Sequence, residues 1–288
     1  MNGWSNAAYK LESAISVDGK NLNKDAAARE KMKRAIVKYG AVTFSYNNVR
    51  EAYYYNPSEE SGSSPHACTI IGWDDTIPAE NFYPSKTTTD GGWLVKNSYS
   101  SLPYFYLSYE VTCEQIYAFD YVMNDKYDNN YFYDASATDS GIGSLLKIKQ
   151  AANVFKVKGD TENEWIKAVS VGIVGGNTDC TVEVYSDVQD GSFNPQNAKL
   201  ETTKTVYLEY GGFNCIELDK PVEVKKGSTF AVVVKVNNAY ITLSENEGES
   251  YVYRGGWTPS QAVRIKVFTK NDEKNQNSIE FMDEGQVK

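Results

Sequence analysis

Pro65-His66-Ala67-Cys68-Thr69-Ile70-Ile71-Gly72-Trp73-Asp74-Asp75 and Gly91-Gly92-Trp93-Leu94-Val95-Lys96-Asn97-Ser98-Tyr99 are the two stretches on which the reading of this chain turns. Each is an apolar, strand-forming run with a polar residue at one end: His66 opens the first and Asn97 closes the second. A rigid sheet presents functional groups at its rim in this way. His66 is the only histidine in 288 residues, so any mechanism needing two imidazoles within the chain is excluded.

Upstream, Asn23 or Asp25 can cap a helix that begins with Ala26-Ala27-Ala28 and runs through Met32, Ala35, Ile36 and Val37. Met32, Ala35 and Ile36 recur at helical spacing and mark a buried face. Lys31, Lys33, Arg34 and Lys38 mark the solvated remainder, and Gly40 supplies the stop. Ala41–Tyr46, Ala67–Trp73, Gly92–Asn97 and Tyr104–Tyr109 follow as strands. The first part of the chain therefore reads as one helix followed by a set of strands.

Beyond the polar, Asp-, Asn- and Tyr-rich stretch 123–139, a period near two dominates. The expected strands are Ala152–Val157, Trp165–Val174, Thr181–Tyr185, Thr203–Tyr210, Asn214–Leu218, Thr229–Val236, Tyr240–Leu243, Ser250–Tyr253 and Ala262–Thr269, separated by Gly- and Asn-rich turns. Short strands at this spacing indicate a sandwich or jelly roll. The expected fold class is mainly β with one N-terminal helix, plus an all-β sandwich or jelly-roll domain. The expected division is 1–122, a junction at 123–142, a sandwich at 143–270 and a polar tail or linker at 271–288.

Composition excludes several function classes. With 29 Lys+Arg against 38 Asp+Glu, the net charge of −9 argues against a nucleic-acid partner. No apolar run approaches the length of a transmembrane segment. The 22 Tyr, 11 Phe and 5 Trp agree with a β-rich chain. Met1-Asn2-Gly3-Trp4-Ser5-Asn6 has neither a basic start nor an apolar core, so it does not read as a secretory signal. Either the protein is intracellular or these residues are not its true start.

Cys68, Cys113, Cys180 and Cys215 form no Cys-x-x-Cys pair. Cys68 reads as a small buried hydrophobe. Cys180 and Cys215 can pair in an oxidising compartment if the fold brings them together. No metal is expected: Asp74-Asp75 reads as a solvated turn, and Asp125, Asp128, Asn129, Asn130 and Asp134 read as polar linker in preference to a Ca²⁺ site. Trp165, Tyr185, Tyr207, Tyr210, Phe213, Tyr251, Tyr253 and Trp257 are candidate sugar-stacking aromatics. Trp257, placed on a loop between Gly256 and Thr258-Pro259, is the foremost.

The two opening segments resemble the C-terminal half of papain-like cysteine peptidases, over roughly residues 25–122. Ile36-Val37-Lys38-Tyr39-Gly40-Ala41-Val42 is similar to that family's passage from helix to strand. The resemblance implies an α+β half-domain, barrel-like, in which His66 is the general base and Asn97 orients it. No cofactor is implied. An imidazolium beside a thiol holds it as thiolate and later returns its proton to the leaving amine. The Asn amide oxygen fixes the ring without adding charge. In that family the nucleophilic Cys lies about 130 residues before the His; here 65 residues precede His66 and none is Cys. Cys68, two residues along the same strand, does not fit the role. The family also places Trp after Asn-Ser, where this chain has Tyr99.

Ala151–Phe155, Trp165–Ser170, Val182–Tyr185 and Lys226–Lys235 resemble the lectin-like domain that follows some bacterial papain-like peptidase domains. The two resemblances together imply a secreted or cell-surface bacterial peptidase with a protein or peptide substrate. They also imply a nucleophile-bearing half outside this chain, either upstream of Met1 or on a separate polypeptide, and an inactive chain without it. The alternative is a non-catalytic binding protein: a relict peptidase half carrying a lectin-like module for glycan or cell-wall ligands.

Overall fold

The computed structural model describes residues 7–19, 21–47, 52–57, 65–99, 101–134, 147–189 and 193–272. Met1–Asn6, the chain between Asp134 and Lys147, and the tail beyond Asp272 lie outside the described residues. In chain order the elements are β1 (Tyr9–Ser16), α1 (Ala26–Tyr39), β2 (Val42–Asn47), β3 (Tyr54–Asn56), β4 (Pro65–Asp74), β5 (Tyr83–Pro84), β6 (Gly92–Lys96), β7 (Tyr104–Ser108) and β8 (Glu114–Met123). Then follow β9 (Asn129–Tyr131), β10 (Gln150–Lys156), β11 (Asn163–Val174), β12 (Thr178–Ser186), β13 (Lys199–Leu208), β14 (Gly211–Lys225), β15 (Thr229–Val236), β16 (Tyr240–Ile241), β17 (Ser250–Tyr253), β18 (Trp257–Ser260) and β19 (Ile265–Lys270).

The helix forms where expected. Asp25 is the N-cap, its carboxylate accepting the Ala27 N–H at 2.8 Å. Gly40 ends it at φ +78°, a conformation that costs a side chain more than it costs glycine, and returns its N–H to Ile36 O at 2.8 Å. Met32, Ala35 and Ile36 bury against Val42, Phe44, Ile70, Trp93, Val95, Phe105 and Leu107 to make the first core. Lys33 departs from the expectation of a solvated face. It is buried, and its ammonium meets Asp75 at 2.8 and 3.0 Å and Glu30 at 2.7 Å.

The strand set is larger than the hydrophobic pattern implied. β1 precedes the helix, and β3, β5, β8, β9 and β18 join the expected strands. β8 in particular alternates Ile116 and Ala118 inward with polar and aromatic residues outward. Its Glu114-Gln115 start hides a strand that only its neighbours β1 and β2 make visible.

Two sheets result. One has thirteen strands in the order β5-β3-β7-β6-β4-β2-β8-β1-β14-β11-β19-β9, with β16 beside β11. The other has six, β13-β12-β15-β10-β17-β18. The second sheet faces β11, β14, β16 and β19 across a core of Val, Ile and Phe, including Val169, Val171, Val182, Val184, Phe230, Val232 and Ile265. This is the expected sandwich. The longer sheet does not stop at its margin: β1 pairs with β8 on one side and with β14 on the other. Gly212 permits this approach, at φ +85° and with no room for a Cβ, which would stand 2.3 Å from Ala14 O. β9 lies within residues 123–142 and edges the same sheet through β19.

Candidate active site

β4 and β6 run antiparallel, with Thr69 opposite Lys96 and Ile70 opposite Val95. Period-two alternation puts His66, Cys68 and Ile70 on the core face of β4, and β2 presents Phe44 and Tyr46 on that same face. Asn97 follows β6 directly, two residues after buried Val95, and so reaches the same rim. The structure thus brings the two sequence-predicted residues together: His66 Nε2 lies 2.9 Å from Asn97 Oδ1.

The surroundings settle which ring nitrogen carries the proton. The Asn97 amide is oriented by two bonds, Nδ2–H donating to Leu102 O at 3.0 Å and Oδ1 accepting the Ser98 N–H at 2.8 Å. An oxygen at Oδ1 can only accept, so Nε2 of a neutral imidazole bears the hydrogen and Nδ1 is its basic nitrogen. The Cys68 thiol donates to the same oxygen at 3.6 Å, and Asn97 N–H donates to Pro103 O at 2.9 Å. Asn97 is therefore tied through its side chain to Leu102 and through its backbone to Pro103.

Two aromatic rings fix the imidazole. Tyr99 stacks on it at 5.0 Å and 9°, and Tyr46 meets it edge-on at 5.8 Å and 67°. Tyr99 thus stacks on His66 at the position where the resembled family carries Trp. Its aromatic character was the available signal; that it stacks on His66 was not readable from the spacing.

Cys68 is buried, as expected of a small hydrophobe, and stands beside the pair rather than opposite it. Burial pushes the thiols of Cys113 and Cys180 up to about 12 and raises that of Cys215 as well, so none of these three is poised as a thiolate. None of the four cysteines is in a disulfide. Cys180 and Cys215 therefore do not pair: Cys180 sits on β12 in the six-stranded sheet and Cys215 on β14 in the other.

The far end of β4 is anchored, and Asp74-Asp75 is more than a solvated turn. Asp75 receives Lys33 and the Tyr109 hydroxyl, the latter at 2.7 Å, while Asp74 accepts the N–H and hydroxyl of Thr76. Burial works to raise the Asp75 carboxyl, but hydrogen bonds from Lys33 and Tyr109 outweigh it and hold the group below its ordinary range. Among the other acidic candidates, Asp128 pairs with Lys270 at 3.1 Å and accepts the Asn271 N–H. Asp134 is buried 3.5 Å from Lys266 and 3.8 Å from Arg264. These carboxylates face the protein's own cations. Among the described residues no group of three or more His, Cys, Asp or Glu is placed to hold a metal ion.

Four of the aromatics singled out for sugar stacking, Tyr185, Tyr251, Tyr253 and Trp257, gather on the outer face of the six-stranded sheet, and the other four lie apart. Tyr210 is buried against α1, its hydroxyl donating to Lys31 O. Tyr185, Tyr251 and Trp257 surround Phe193 on the outer face of the six-stranded sheet. Trp257 opens β18 and is not on a loop. Trp165 and Phe213 are half-buried; Tyr207 and Tyr253 stand exposed on separate strands.

No described helix is long and apolar enough to cross a membrane. Residues 131–271 match the family described as a lectin-like domain. No curated protein matches the chain. Two solved structures resemble it closely in fold. One is the clostridial cysteine protease Cwp84 after propeptide cleavage, with TM-score 0.66, 22% identity, and coverage of 91% of this chain and 71% of that one. The other comprises the cysteine protease and lectin-like domains of Cwp84, a surface-layer-associated protein of Clostridium difficile, with TM-score 0.67 and 22% identity. It covers 92% of this chain, and this chain spans 64% of its length. The chain thus shares the fold of the two Cwp84 structures, and its residues 131–271 match the lectin-like family.

Proposed function

We propose that this chain supplies the general base and its orienting partner to a papain-like cysteine peptidase. His66 Nδ1 takes the proton of a thiol brought to it, giving a thiolate–imidazolium pair. The thiolate attacks the scissile carbonyl, and the imidazolium returns its proton to the leaving amine. Asn97 keeps Nε2–H engaged throughout and adds no charge that would hold the proton on the ring. Residues 1–122 form the peptidase part in this reading, and the sandwich is its appended lectin-like module at the bacterial surface. The observation that carries the proposal is the 2.9 Å contact between His66 Nε2 and an Asn97 oxygen whose orientation is fixed by two further bonds. The thiol belongs to a part of the peptidase outside these residues, because the chain has no Cys before His66 and Cys68 stands beside the pair.

The test uses the peptidase purified from its source, with an epoxide that alkylates active-site thiolates. The expected result is one labelled cysteine that is not Cys68, Cys113, Cys180 or Cys215. His66→Ala should lower both labelling and peptide hydrolysis by about 10²–10⁴-fold. Labelling of Cys68, or full labelling in the His66→Ala protein, overturns the proposal.

A further inference from the structure

β8 is irregular at the end nearest His66. Thr43 of β2 stands opposite Tyr117, but Ser45 stands opposite Glu114, so β8 holds an extra residue over this interval. The bulge includes Gln115 at φ +50°, the left-handed region that a side chain disfavours. Hydrogen bonds from β2 hold it in place: Ser45 Oγ–H donates to Glu114 O at 3.3 Å, and Thr43 Oγ1–H donates to Tyr117 O at 3.1 Å. Its effect is to re-aim one side chain. Strict alternation would put Glu114 on the core face with Ile116 and Ala118. The extra residue turns it to the outer face with Ser45, and there it is exposed. Bulges beside active sites re-aim side chains in this way.

The re-aimed carboxylate completes a row that begins next to His66. Ala67, the following residue, pairs with Ser45, and Ser45 pairs with Glu114. Alanine and serine keep the row low, and Glu114 stands at its end. Neighbouring strands lie about 4.8 Å apart, so Glu114 is about 10 Å across the sheet from Ala67. Glu114 also lines a cavity of about 460 Å³ together with Ser16, Asp18, Thr112 and Tyr117. That volume is in the range of ligand sites. Asp18 lies within the electrostatic reach of Lys31, whereas Glu114 forms no ion pair among the described residues. We propose that Glu114 determines specificity: it takes the cationic side chain of a lysine or arginine of the peptide substrate, seated in this cavity. A peptide whose scissile bond lies at His66 has a neighbouring residue over the Ala67–Ser45 row. The long apolar stem of lysine or arginine crosses the row and delivers its charge to Glu114. The proposal rests on the peptidase reading, which alone brings a peptide to His66.

The experiment uses the same purified peptidase and peptide pairs that carry arginine or its neutral isostere citrulline, at one position at a time on either side of the cleaved bond. At one position the arginine peptide should have the higher kcat/KM, by about three- to tenfold, the size of a partly exposed ion pair. The ratio should shrink as salt rises. Glu114→Gln should bring it close to one, Glu114→Lys should turn the preference against arginine, and Glu114→Asp should retain part of it. A ratio near one at every position, or a preference untouched by both Glu114→Gln and Glu114→Lys, overturns the proposal. His66-dependent epoxide labelling of the same preparations separates the two readings. Where labelling persists and the preference is absent, only the role of Glu114 fails; where labelling does not depend on His66, the peptidase reading fails and takes this one with it.

Discussion

One oxygen governs what His66 can do. Asn97 Oδ1 accepts from the imidazole, from the Ser98 N–H and from the Cys68 thiol, and the amide's other end is tied to Leu102 O. Asn97→Ala removes all of these at a buried position. It should lower the stability of the chain by about 1–3 kcal/mol in urea unfolding, the cost of leaving donors unsatisfied. A change near zero would mean the amide does not hold the loop. The chain offers a direct view of the proton as well. It has a single histidine, so its ¹⁵N spectrum is unambiguous. The neutral ring should show the Nε2-protonated tautomer, and the Nδ1 tautomer would contradict the assigned amide orientation. His66 and Asn97 stood out by their strand-end positions, and the family resemblance joined them as a pair. The contacts of Tyr99 and Cys68 were not legible: stacking and a thiol's direction depend on side-chain geometry that spacing does not carry.

At the scale of elements, α1 is positioned by caps at its ends and by ion pairs along its length. Asp25→Ala should lower thermal stability by about 1 kcal/mol through the lost cap. The helix is also tied to the sheet through Lys33 and Asp75. A second carboxylate, Glu110, accepts the Thr88 N–H and hydroxyl at 2.8 Å each and the Thr89 N–H at 2.9 Å. Burial works to raise Glu110, and these hydrogen bonds prevail and hold it low. Both carboxyls are depressed in the folded chain. Their stabilisation is therefore complete above the ordinary carboxyl range near pH 4 and is lost as pH falls through the lower folded values. Acid unfolding should shift to lower pH than in Asp75→Asn or Glu110→Gln chains when followed by tryptophan fluorescence. If the variants and the parent unfold at the same pH, the two groups are not coupled to folding. The buried place of Lys33 was not legible, because a lysine on a helix reads as solvated until a carboxylate from another element is known to face it.

Over the whole molecule, the long sheet runs from the N-terminal, helix-bearing part into the sandwich through β1. β1 is held on one side by β8 and on the other by β14. Around that seam, Arg34 meets Glu209 through Nε and Nη2 at 2.9 and 2.7 Å, and Tyr210 packs on Tyr39. Lys126 also links Glu12 of β1 to Glu217 of β14. The two parts should unfold in one transition, seen alike by fluorescence and by far-ultraviolet dichroism. Tyr210→Ala should lower that transition by about 3 kcal/mol without splitting it. Two separate transitions would show that the seam is not cooperative.

By itself the amino-acid sequence determined the helix and its caps, most strands of the sandwich and the β-rich class, while His66 and Asn97 were singled out as partners by the family resemblance. These rest on local chemistry: capping residues, period-two burial and polar groups at strand ends. Tertiary structure alone decided that β1 and β8 are strands and that one sheet crosses from the helix-bearing N-terminal part into the sandwich. It also decided that Tyr99 stacks on the imidazole and that Tyr131 and Tyr133 pack against the sandwich core. A strand such as β8 carries too little apolar alternation of its own to be recognised. It exists because the hydrogen-bonding edges of β1 and β2, distant in sequence, stand ready to pair with it.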